Sequence, residues 1–369
     1  MQTELLNSIV HPTILLDELK CKNNILQMLQ KANKYNLALR PHFKTHQSAQ
    51  IGKWFSDLGV EEITVSSMHM AEYFVGHGWQ KIILAFPANT RALKQINSLA
   101  EKCSLTLLLS DKMALSALIS RVEQELSFFI EIDTGYNRTG FKAKEQSNIR
   151  QIIELASKSD YLNFRGFYVH NGHTYKANGE SEVSKIHIDA IKQLRQLRKA
   201  FSSYPKLEVQ LGDTPSCSTM EHFEYIDAIC PGNFVFYDLT QANIGSCSLD
   251  DIAIVVACPV VAKNPESQSL TIHGGAVHFS KDKLEVEGRT IYGRVVEFYG
   301  ASWGKPIENT YISALSQEHG TIKASKDFYE KTAVGDLVFV MPVHSCLTAN
   351  LHSQYLTTSG QRIVRMPRV

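Results

Sequence analysis

The sequence lacks the features of a membrane-spanning, nucleic-acid-binding or disulfide-stabilised protein. No apolar run approaches the roughly 20 residues that a helix needs to cross a bilayer. The charge is nearly balanced, with 38 lysines and arginines against 37 aspartates and glutamates, and no long basic run is present, which argues against nucleic acid as the main partner. The first residues, MQTELLNSIV, lack a basic flank followed by an apolar block, so we expect no secretory signal. The seven cysteines form no Cys-x-x-Cys pair, which favours reduced thiols in a cytoplasmic protein.

The first two thirds of the sequence show a regular alternation of short apolar runs with amphipathic stretches. The 369 residues, 44% of them apolar, are enough for one large domain and a smaller one. Alternating strands and helices predict a parallel sheet, and eight strands predict a (β/α)8 TIM-like barrel. A doubly wound sheet is the alternative. The predicted strands span residues 38–45, 62–67, 81–86, 105–110, 127–133, 164–170, 207–213 and 227–232. The predicted helices include ELKCKNNILQMLQKANKY, AEYFVGHGW, TRALKQINSLAEK and KIHIDAIKQLRQLRKAF.

After about residue 245 the pattern changes to strand-like segments separated by turn residues. These segments are IAIVVACPVVAK, SLTIHGGAVHF, EVEGRTIYGRVVEF, TYISALSQEHGTI and DLVFVMPVHSC. We therefore predict a barrel domain over residues 13–245 and a smaller, mainly β C-terminal domain over residues 246–369. Residues 1–12 are a candidate to pack with the second domain.

The segment RPHFKTHQ, residues 40–47, brings four basic side chains to the end of the first predicted strand. Lys44 is either a lysine whose charge reaches solvent, or an amine held in a desolvated pocket. In the second interpretation, burial and neighbouring cations make the amine nucleophilic, so that it forms Schiff bases with carbonyls or with pyridoxal 5'-phosphate (PLP). His42 and His46 lie two residues to either side, and strand alternation predicts that all three side chains share one face.

Two glycine-containing turns follow the seventh and eighth predicted strands, where barrels often bind phosphate. They are Gly212-Asp213-Thr214 and Pro231-Gly232-Asn233. Each alone is more often a plain turn, but the pair, with a lysine after the first strand, favours a phosphate-bearing cofactor.

A second constellation is His344-Ser345-Cys346 in the C-terminal domain. On an extended segment, His-x-Cys places both side chains on one face, where a thiolate and an imidazole suit Zn²⁺. On spacing alone, a packed cysteine beside a hydrogen-bonded histidine is the commoner arrangement. Further polar clusters lie in QEHG (Glu318, His319) and HGGAVHFSKD (His273, His278). We assign Glu318 and His319 to a turn by default, with a role near the site as the alternative.

These motifs resemble the PLP-dependent fold-type III family that includes alanine racemase, and more closely its D-serine dehydratase and D-threonine aldolase branch. RPHFKTH resembles the lysine motif of that branch, RPHxKTH. EIDTGYNRTG resembles the family's strand-five segment, with Asp133, Gly135, Arg138 and Gly140 in place. The resemblance extends over nearly the whole chain through YVHNGHTY, GDTPS, PGNFVFYD, LSQEHG and VHSCLTANL.

The resemblance implies roles for individual residues. Lys44 would be the catalytic residue that holds PLP as a Schiff base, and His344 with Cys346 would bind zinc, where D-threonine aldolases carry His-x-Asp. Two ligands are fewer than the usual three of a catalytic zinc, so water, substrate or a third residue must complete the shell. The remaining implied cofactor-binding residues are Tyr168 and Tyr175, near the ring or phosphate, and Thr214, Gly232 and Asn233, at the phosphate.

One departure from the family pattern bears on the reaction. Alanine racemases carry an arginine before the Pro-Gly of the eighth strand, whereas this sequence has Cys230, and a neutral thiol cannot supply that cation. The resemblance therefore implies a cytoplasmic, homodimeric lyase that dehydrates D-serine to pyruvate and ammonia with zinc. The alternatives are a D-threonine aldolase, an amino-acid racemase or a non-catalytic PLP-binding protein.

Overall fold

A computed structural model describes residues 6–368 of the chain. The chain divides into two compact units: Leu26–Gly232, here called the barrel unit, and residues 6–25 with Asn233–Pro367, here called the β-rich unit. Within residues 6–368, no helix combines the length and the apolar character needed to cross a bilayer.

The barrel unit contains eight strands that are all parallel. Most are apolar runs buried on both faces, as expected for parallel strands covered by helices. In chain order, barrel strands 1 to 8 are Ala38–Leu39, Glu62–Val65, Lys81–Pro87, Ser104–Leu109, Leu126–Asp133, Leu162–Val169, Glu208–Leu211 and Ala228–Ile229. A short additional strand, Phe141–Lys142, pairs with barrel strand 5.

Helices connect these strands, and their apolar positions face the barrel. In the helix Gln146–Ala156, the buried residues Ile149, Ile152, Ile153 and Ala156 recur at helical spacing and form one apolar stripe. The other α-helices that flank the barrel strands are Glu18–Lys34, Ala49–Ser56, Met68–Gly76, Leu93–Ala100, Lys112–Ile119, Glu180–Ala200 and Thr214–Thr219; the 3-10 turns are Thr90–Ala92 and Gly172–Lys176.

The barrel is nearly closed, and its closing seam lies between barrel strands 1 and 2. An isolated parallel bridge between His42 and Thr64 joins them. The Phe43 amide donates to the Thr64 carbonyl, and the Thr64 amide donates to the Pro41 carbonyl, both at 2.9 Å. The predicted fold class is therefore confirmed, and the doubly wound alternative is wrong because the sheet returns to its first strand.

A network of ion pairs inside the barrel ties this seam to the opposite wall. Arg40 Nε lies 2.6 Å from Glu62 Oε2 and its Nη1 lies 2.8 Å from Glu208 Oε2. Arg165, on barrel strand 6, donates from Nη2 to Glu62 at 2.7 Å and from Nε to Glu208 at 3.2 Å. Although burial alone would raise it, the pKa of Glu62 is lowered by the two guanidinium groups. The four charges thus join barrel strands 1, 2, 6 and 7.

The β-rich unit is built on a nine-stranded sheet. In spatial order its strands are Ser269–His273, His319–Lys323, Trp303–Leu315, Gly293–Phe298, Leu337–Pro342, Ile254–Asn264, Thr13–Leu16, Gln354–Thr357 and Arg362–Val364, and the first of these also pairs with Ile254–Asn264. A separate hairpin pairs Leu284–Val286 with Arg289–Ile291. The helices of this unit are Leu239–Ile244, Ala276–Phe279, Lys326–Lys331 and Ser345–Leu351, with 3-10 turns at Asn233–Val235 and Leu249–Asp251.

Some of the observed elements differ from the sequence predictions. Thr13–Leu16, predicted within the barrel domain, lies in the nine-stranded sheet because it pairs with residues 254–257 and 356–357. The segment AVHF of the predicted strand SLTIHGGAVHF forms the helix Ala276–Phe279 instead. Residues 233–245, also predicted in the barrel domain, group with the β-rich unit. The predicted division at residue 245 stays a prediction.

We expect Arg165→Met to lower the free energy of unfolding by about 3 kcal/mol, because it leaves two largely buried carboxylates with one cation between them. Chemical denaturation would measure this change. The control is Arg195→Met at an exposed helix position, which we expect to stay within about 0.5 kcal/mol of wild type.

The stabilisation by this network should also depend on pH. Since the folded-state pKa of Glu62 is lowered, the stabilisation that Glu62 contributes is present above the ordinary glutamate pKa and is lost as pH falls through the lowered value. The difference between wild type and Arg165→Met should therefore shrink below about pH 4. Equal stabilities for Arg165→Met and Arg195→Met at neutral pH would contradict a stabilising network.

Candidate active site

A cavity of about 250 Å³ opens within the barrel unit where the strands end. Its wall includes Lys44, His42, Tyr168, His170, Tyr175 and Gly232. These residues follow or end barrel strands 1, 6 and 8. The carboxyl ends of barrel strands are the usual place for active sites in this architecture.

The side chains of residues 40–46 point in different directions because the strand gives way to a turn. Barrel strand 1 ends at Leu39, and residues 43–46 form the turn. Lys44 is exposed on the cavity wall, and His42 is buried beside it. His46 instead lies in an aromatic cluster, with its ring centroid 4.4 Å from that of Phe43 and 5.9 Å from that of Phe55. The prediction that both histidines flank Lys44 on one face is therefore wrong for His46.

The groups around Lys44 are held in their neutral forms. Burial, followed by the charge of Lys44, lowers the pKa of His42 well below its usual range and that of His170 to about 3. The His170 ring also hydrogen-bonds the Gly212 carbonyl oxygen. Burial raises the pKa of Tyr168 well above its usual range and that of Cys230 to about 11. The Cys230 thiol lies 3.4 Å from the Tyr168 hydroxyl. Near neutral pH, the imidazoles of His42 and His170 beside Lys44 are therefore neutral.

The two predicted glycine turns border the same cavity. A Cβ on Gly212 would lie 2.4 Å from Cys230 Sγ, so the backbone approaches this wall as only glycine allows. Asp213 begins the helix Thr214–Thr219 by accepting the Ser216 amide at 2.7 Å, and burial raises its pKa to about 6. The Thr214 amide donates to the Tyr175 hydroxyl at 3.1 Å, so Thr214 is one hydrogen bond from the cavity wall.

The donor set fits PLP. Lys44 offers a primary amine for the aldehyde, and the neutral side chains of Tyr168, Cys230 and His170 suit the faces and edges of an aromatic ring. Arg138 places a second cation on the same wall. The cavity volume is near the lower end of the range of small-molecule sites, about 300 to 1,000 Å³.

Of the predicted cofactor-binding residues, Lys44, Tyr168, Tyr175 and Gly232 line the same cavity. The side chain of Asn233 lies elsewhere, because its amide donates to Asp238 at 2.6 Å and to Ser345 Oγ at 3.1 Å. Its predicted phosphate role would therefore rest on its backbone. Sequence analysis gave no role to the cavity residue His170 and named Asp213 only as part of the turn Gly212-Asp213-Thr214, although both lie within two residues of an observed strand end.

The His-x-Cys motif lies in the β-rich unit at a strand-to-helix junction. His344 is the residue before the helix Ser345–Leu351, and the preceding strand ends at Pro342. The segment is therefore not extended through Cys346, and the strand-alternation argument for a shared face is wrong. The two side chains nonetheless meet, because the His344 ring hydrogen-bonds Cys346.

The surroundings of His344 are those of a metal-binding imidazole. Its Nδ1 lies 2.6 Å from Asp282 Oδ2, and a carboxylate on the second ring nitrogen is the usual orienting contact of a metal-bound histidine. Burial lowers the pKa of His344, but hydrogen bonds to Asp282 and Cys346 outweigh this effect and raise the pKa to about 11. Zn²⁺ binding would therefore displace a proton from the ring. The Asn233 amide lies 3.4 Å from Cys346 Sγ. The side chains of His344 and Cys346, with Asp282 beside them, therefore fit Zn²⁺. Asp282 lies 62 residues from His344 in sequence, and sequence analysis did not identify it.

The chain belongs to the family described as "Alanine racemase, N-terminal domain", which matches residues 16–239. Residues 253–358 match the family described as "Putative serine dehydratase domain". The predicted membership of the fold-type III family is thereby confirmed, as is the prediction of an enzyme related to D-serine dehydratase.

Three individual proteins are similar in sequence to this chain over most of its length. The chain is 28% identical to D-serine dehydratase from Dictyostelium discoideum, over 95% of this chain and 93% of the relative. It is 24% identical to D-threo-3-hydroxyaspartate dehydratase from Delftia sp. strain HT23, over 91% of each chain. It is also 23% identical to D-threonine aldolase from Arthrobacter sp., over 92% of this chain and 87% of the relative.

Solved structures share the fold across the whole chain. A cysteine-to-alanine mutant of D-threo-3-hydroxyaspartate dehydratase, in the metal-free form, superposes with a TM-score of 0.91 at 22% identity, with 99% of each chain covered. An alanine racemase-like protein from Idiomarina loihiensis gives a TM-score of 0.89 at 26% identity, again with 99% of each chain covered.

Proposed function

We propose that this chain is a PLP-dependent lyase of D-amino acids, and that it dehydrates D-serine to pyruvate and ammonia with the help of zinc. The observation that carries the proposal is the pairing of His344 with Cys346, with Asp282 holding the imidazole. A cysteine ligand favours Zn²⁺, and the Lys44 cavity supplies the place for PLP. The named relatives include dehydratases of D-serine and of D-threo-3-hydroxyaspartate.

PLP, once bound, supplies the electron sink that stabilises negative charge on the substrate Cα. Lys44 is the group on the cavity wall that can take up the Cα proton, since the neighbouring histidines have lowered pKa values and are poor bases. Arg138 is suited to bind the substrate carboxylate, because a guanidinium matches carboxylate geometry.

His344 and Cys346 would hold Zn²⁺, and the ion would supply Lewis-acid chemistry, which makes a hydroxyl a better leaving group. Asp282 keeps the His344 ring oriented while the ring binds. The solved cysteine-to-alanine mutant in the metal-free form supports a metal role for a cysteine in this family.

The alternatives receive less support. D-threonine aldolase is a named relative, but Cys346 stands where the aldolase pattern has aspartate. A racemase is disfavoured because the cation expected before Pro231 is replaced by the neutral Cys230. A cofactor carrier would need neither the β-rich unit nor its His-x-Cys motif. A homodimer and a cytoplasmic location stay predictions.

Borohydride reduction of the PLP-loaded protein, followed by peptide mapping, should place the pyridoxyl group on Lys44. Lys44→Ala should lose both the label and the yellow colour, because no other amine then lies on the cavity wall. Lys176→Ala is the matched control, since Lys176 is an exposed lysine adjacent to the cavity residue Tyr175, and it should label normally. A label on another lysine in wild type would move the active site.

Asp282→Asn should weaken Zn²⁺ binding about 10- to 100-fold, because the His344 ring loses its orienting carboxylate. Chelator competition would measure this affinity, with exposed Asp250→Asn as the control. His344→Ala and Cys346→Ala should lose zinc and dehydratase activity while retaining PLP absorbance. Full dehydratase activity in a metal-free preparation would rule out the zinc proposal.

Product analysis with D-threonine should decide which bond breaks. Dehydration predicts 2-oxobutanoate and ammonia, formed more slowly than pyruvate from D-serine, and L-serine should be inert. A dehydratase must remove the Cα proton, whereas an aldolase cleaves Cα–Cβ and leaves that proton in place. Glycine and acetaldehyde as the main products would make this chain an aldolase.

A further inference from the structure

Three potential metal ligands outside the His-x-Cys motif converge in the β-rich unit. His273 ends the strand Ser269–His273, His278 lies in the helix Ala276–Phe279, and Glu318 lies in the turn that follows Trp303–Leu315. One donor atom from each lies within 4.8 Å of the other two. His273 Nε2 is 3.8 Å from Glu318 Oε2, and the two histidine ring centroids are 5.4 Å apart. We call these three residues the His273 cluster.

Backbone hydrogen bonds hold the two loops of the His273 cluster in register. The Gly274 amide donates to the Glu318 carbonyl at 2.9 Å, and the Ala276 amide donates to the Ser316 carbonyl at 2.8 Å. A Cβ on Gly275 would lie 2.3 Å from the Gln317 carbonyl oxygen, so a larger residue would push the loops apart. The backbone of the two loops that carry the cluster is therefore held in one arrangement.

The protonation states suit cation binding. Burial lowers the pKa of His278, so its imidazole is neutral near pH 7 and offers a lone pair. The Gly275 amide now donates to His278 Nδ1 at 3.3 Å. Metal binding through either ring nitrogen of His278 would leave Nδ1 unable to accept this hydrogen bond. A hydrogen bond of this length is weak, so its loss costs little free energy. The Glu318 side chain is half exposed, so water can complete a coordination shell.

We propose that the His273 cluster is a second divalent-cation site, built for a metal that prefers imidazole and carboxylate ligands, such as Zn²⁺. Two histidines and one carboxylate are an established ligand set for zinc and related transition metals, with open positions filled by water. The cluster shares no residue with the His344 and Cys346 pair. Because its ligands come from three elements, a bound cation would tie the Ser316–Glu318 turn to the Gly274–Gly275 loop.

The test starts from the full chain carrying His344→Ala and Cys346→Ala, so that the other candidate site is removed. Titration of this variant with Zn²⁺ in a calorimeter should show one equivalent bound. Co²⁺ as a spectroscopic probe should give visible d–d absorption without the sulfur-to-metal band that a cysteine ligand would produce. This result does not depend on the proposed dehydratase activity.

Adding Glu318→Gln or His278→Ala to that variant should weaken Zn²⁺ binding at least tenfold. Glu318→Gln is nearly isosteric at a half-exposed position, so the fold should survive and circular dichroism would verify this. His222→Ala, an exposed histidine of the barrel unit, is the control and should bind as the starting variant does. Absence of Zn²⁺ binding in the starting variant, or binding that Glu318→Gln and His278→Ala leave unchanged, would overturn the proposal.

Discussion

The seam between barrel strands 1 and 2 is the constraint on which the candidate active site depends. A single bridge, at His42 and Thr64, joins these strands, whereas barrel strands 2 and 3 pair over four residues. The ion pairs of Arg40 with Glu62 and Glu208 compensate for the short pairing, and Arg165 links the same carboxylates to the opposite wall. A buried charge without a partner destabilises the fold. The two arginines and the two glutamates therefore favour the one arrangement in which all four charges are paired.

This arrangement determines where the segment that carries Lys44 lies. Arg40 is anchored inside the barrel, and Phe43 is anchored outside it by edge contacts with Phe74 and Trp79 at 4.9 and 5.1 Å between ring centroids. Because Arg40 and Phe43 are both held in place, the backbone between them places His42 on the cavity wall. The turn that contains Lys44 begins immediately afterwards. Lys44 is thus positioned by two residues, Arg40 and Phe43, that do not line the cavity.

The sequence predicted the barrel strands well because their apolar runs are long and are punctuated by polar residues. Several observed helices were not among those predicted from the sequence, including Ala49–Ser56, Lys112–Ile119 and Gln146–Ala156. In the first, Gly52 weakens the helical signal, and a Cβ there would lie 3.2 Å from the Phe43 ring, which is a tight contact. The sequence pattern also could not show which way the His46 side chain points, because that direction depends on where barrel strand 1 ends. The contact between Asp282 and His344 joins residues far apart in sequence, and no spacing rule indicates it.

The position of Thr13–Leu16 in the nine-stranded sheet imposes an order on folding. This strand lies between Ile254–Asn264, with which it runs antiparallel, and Gln354–Thr357, with which it runs parallel. During synthesis its partners emerge more than 200 residues later, whereas the strands of the barrel unit are all complete by residue 229. Contacts of such long sequence separation form slowly, since a large loop must close first. The N-terminal strand therefore leaves the ribosome without its partner strands and stays unpaired until the C-terminal part of the chain has been synthesised.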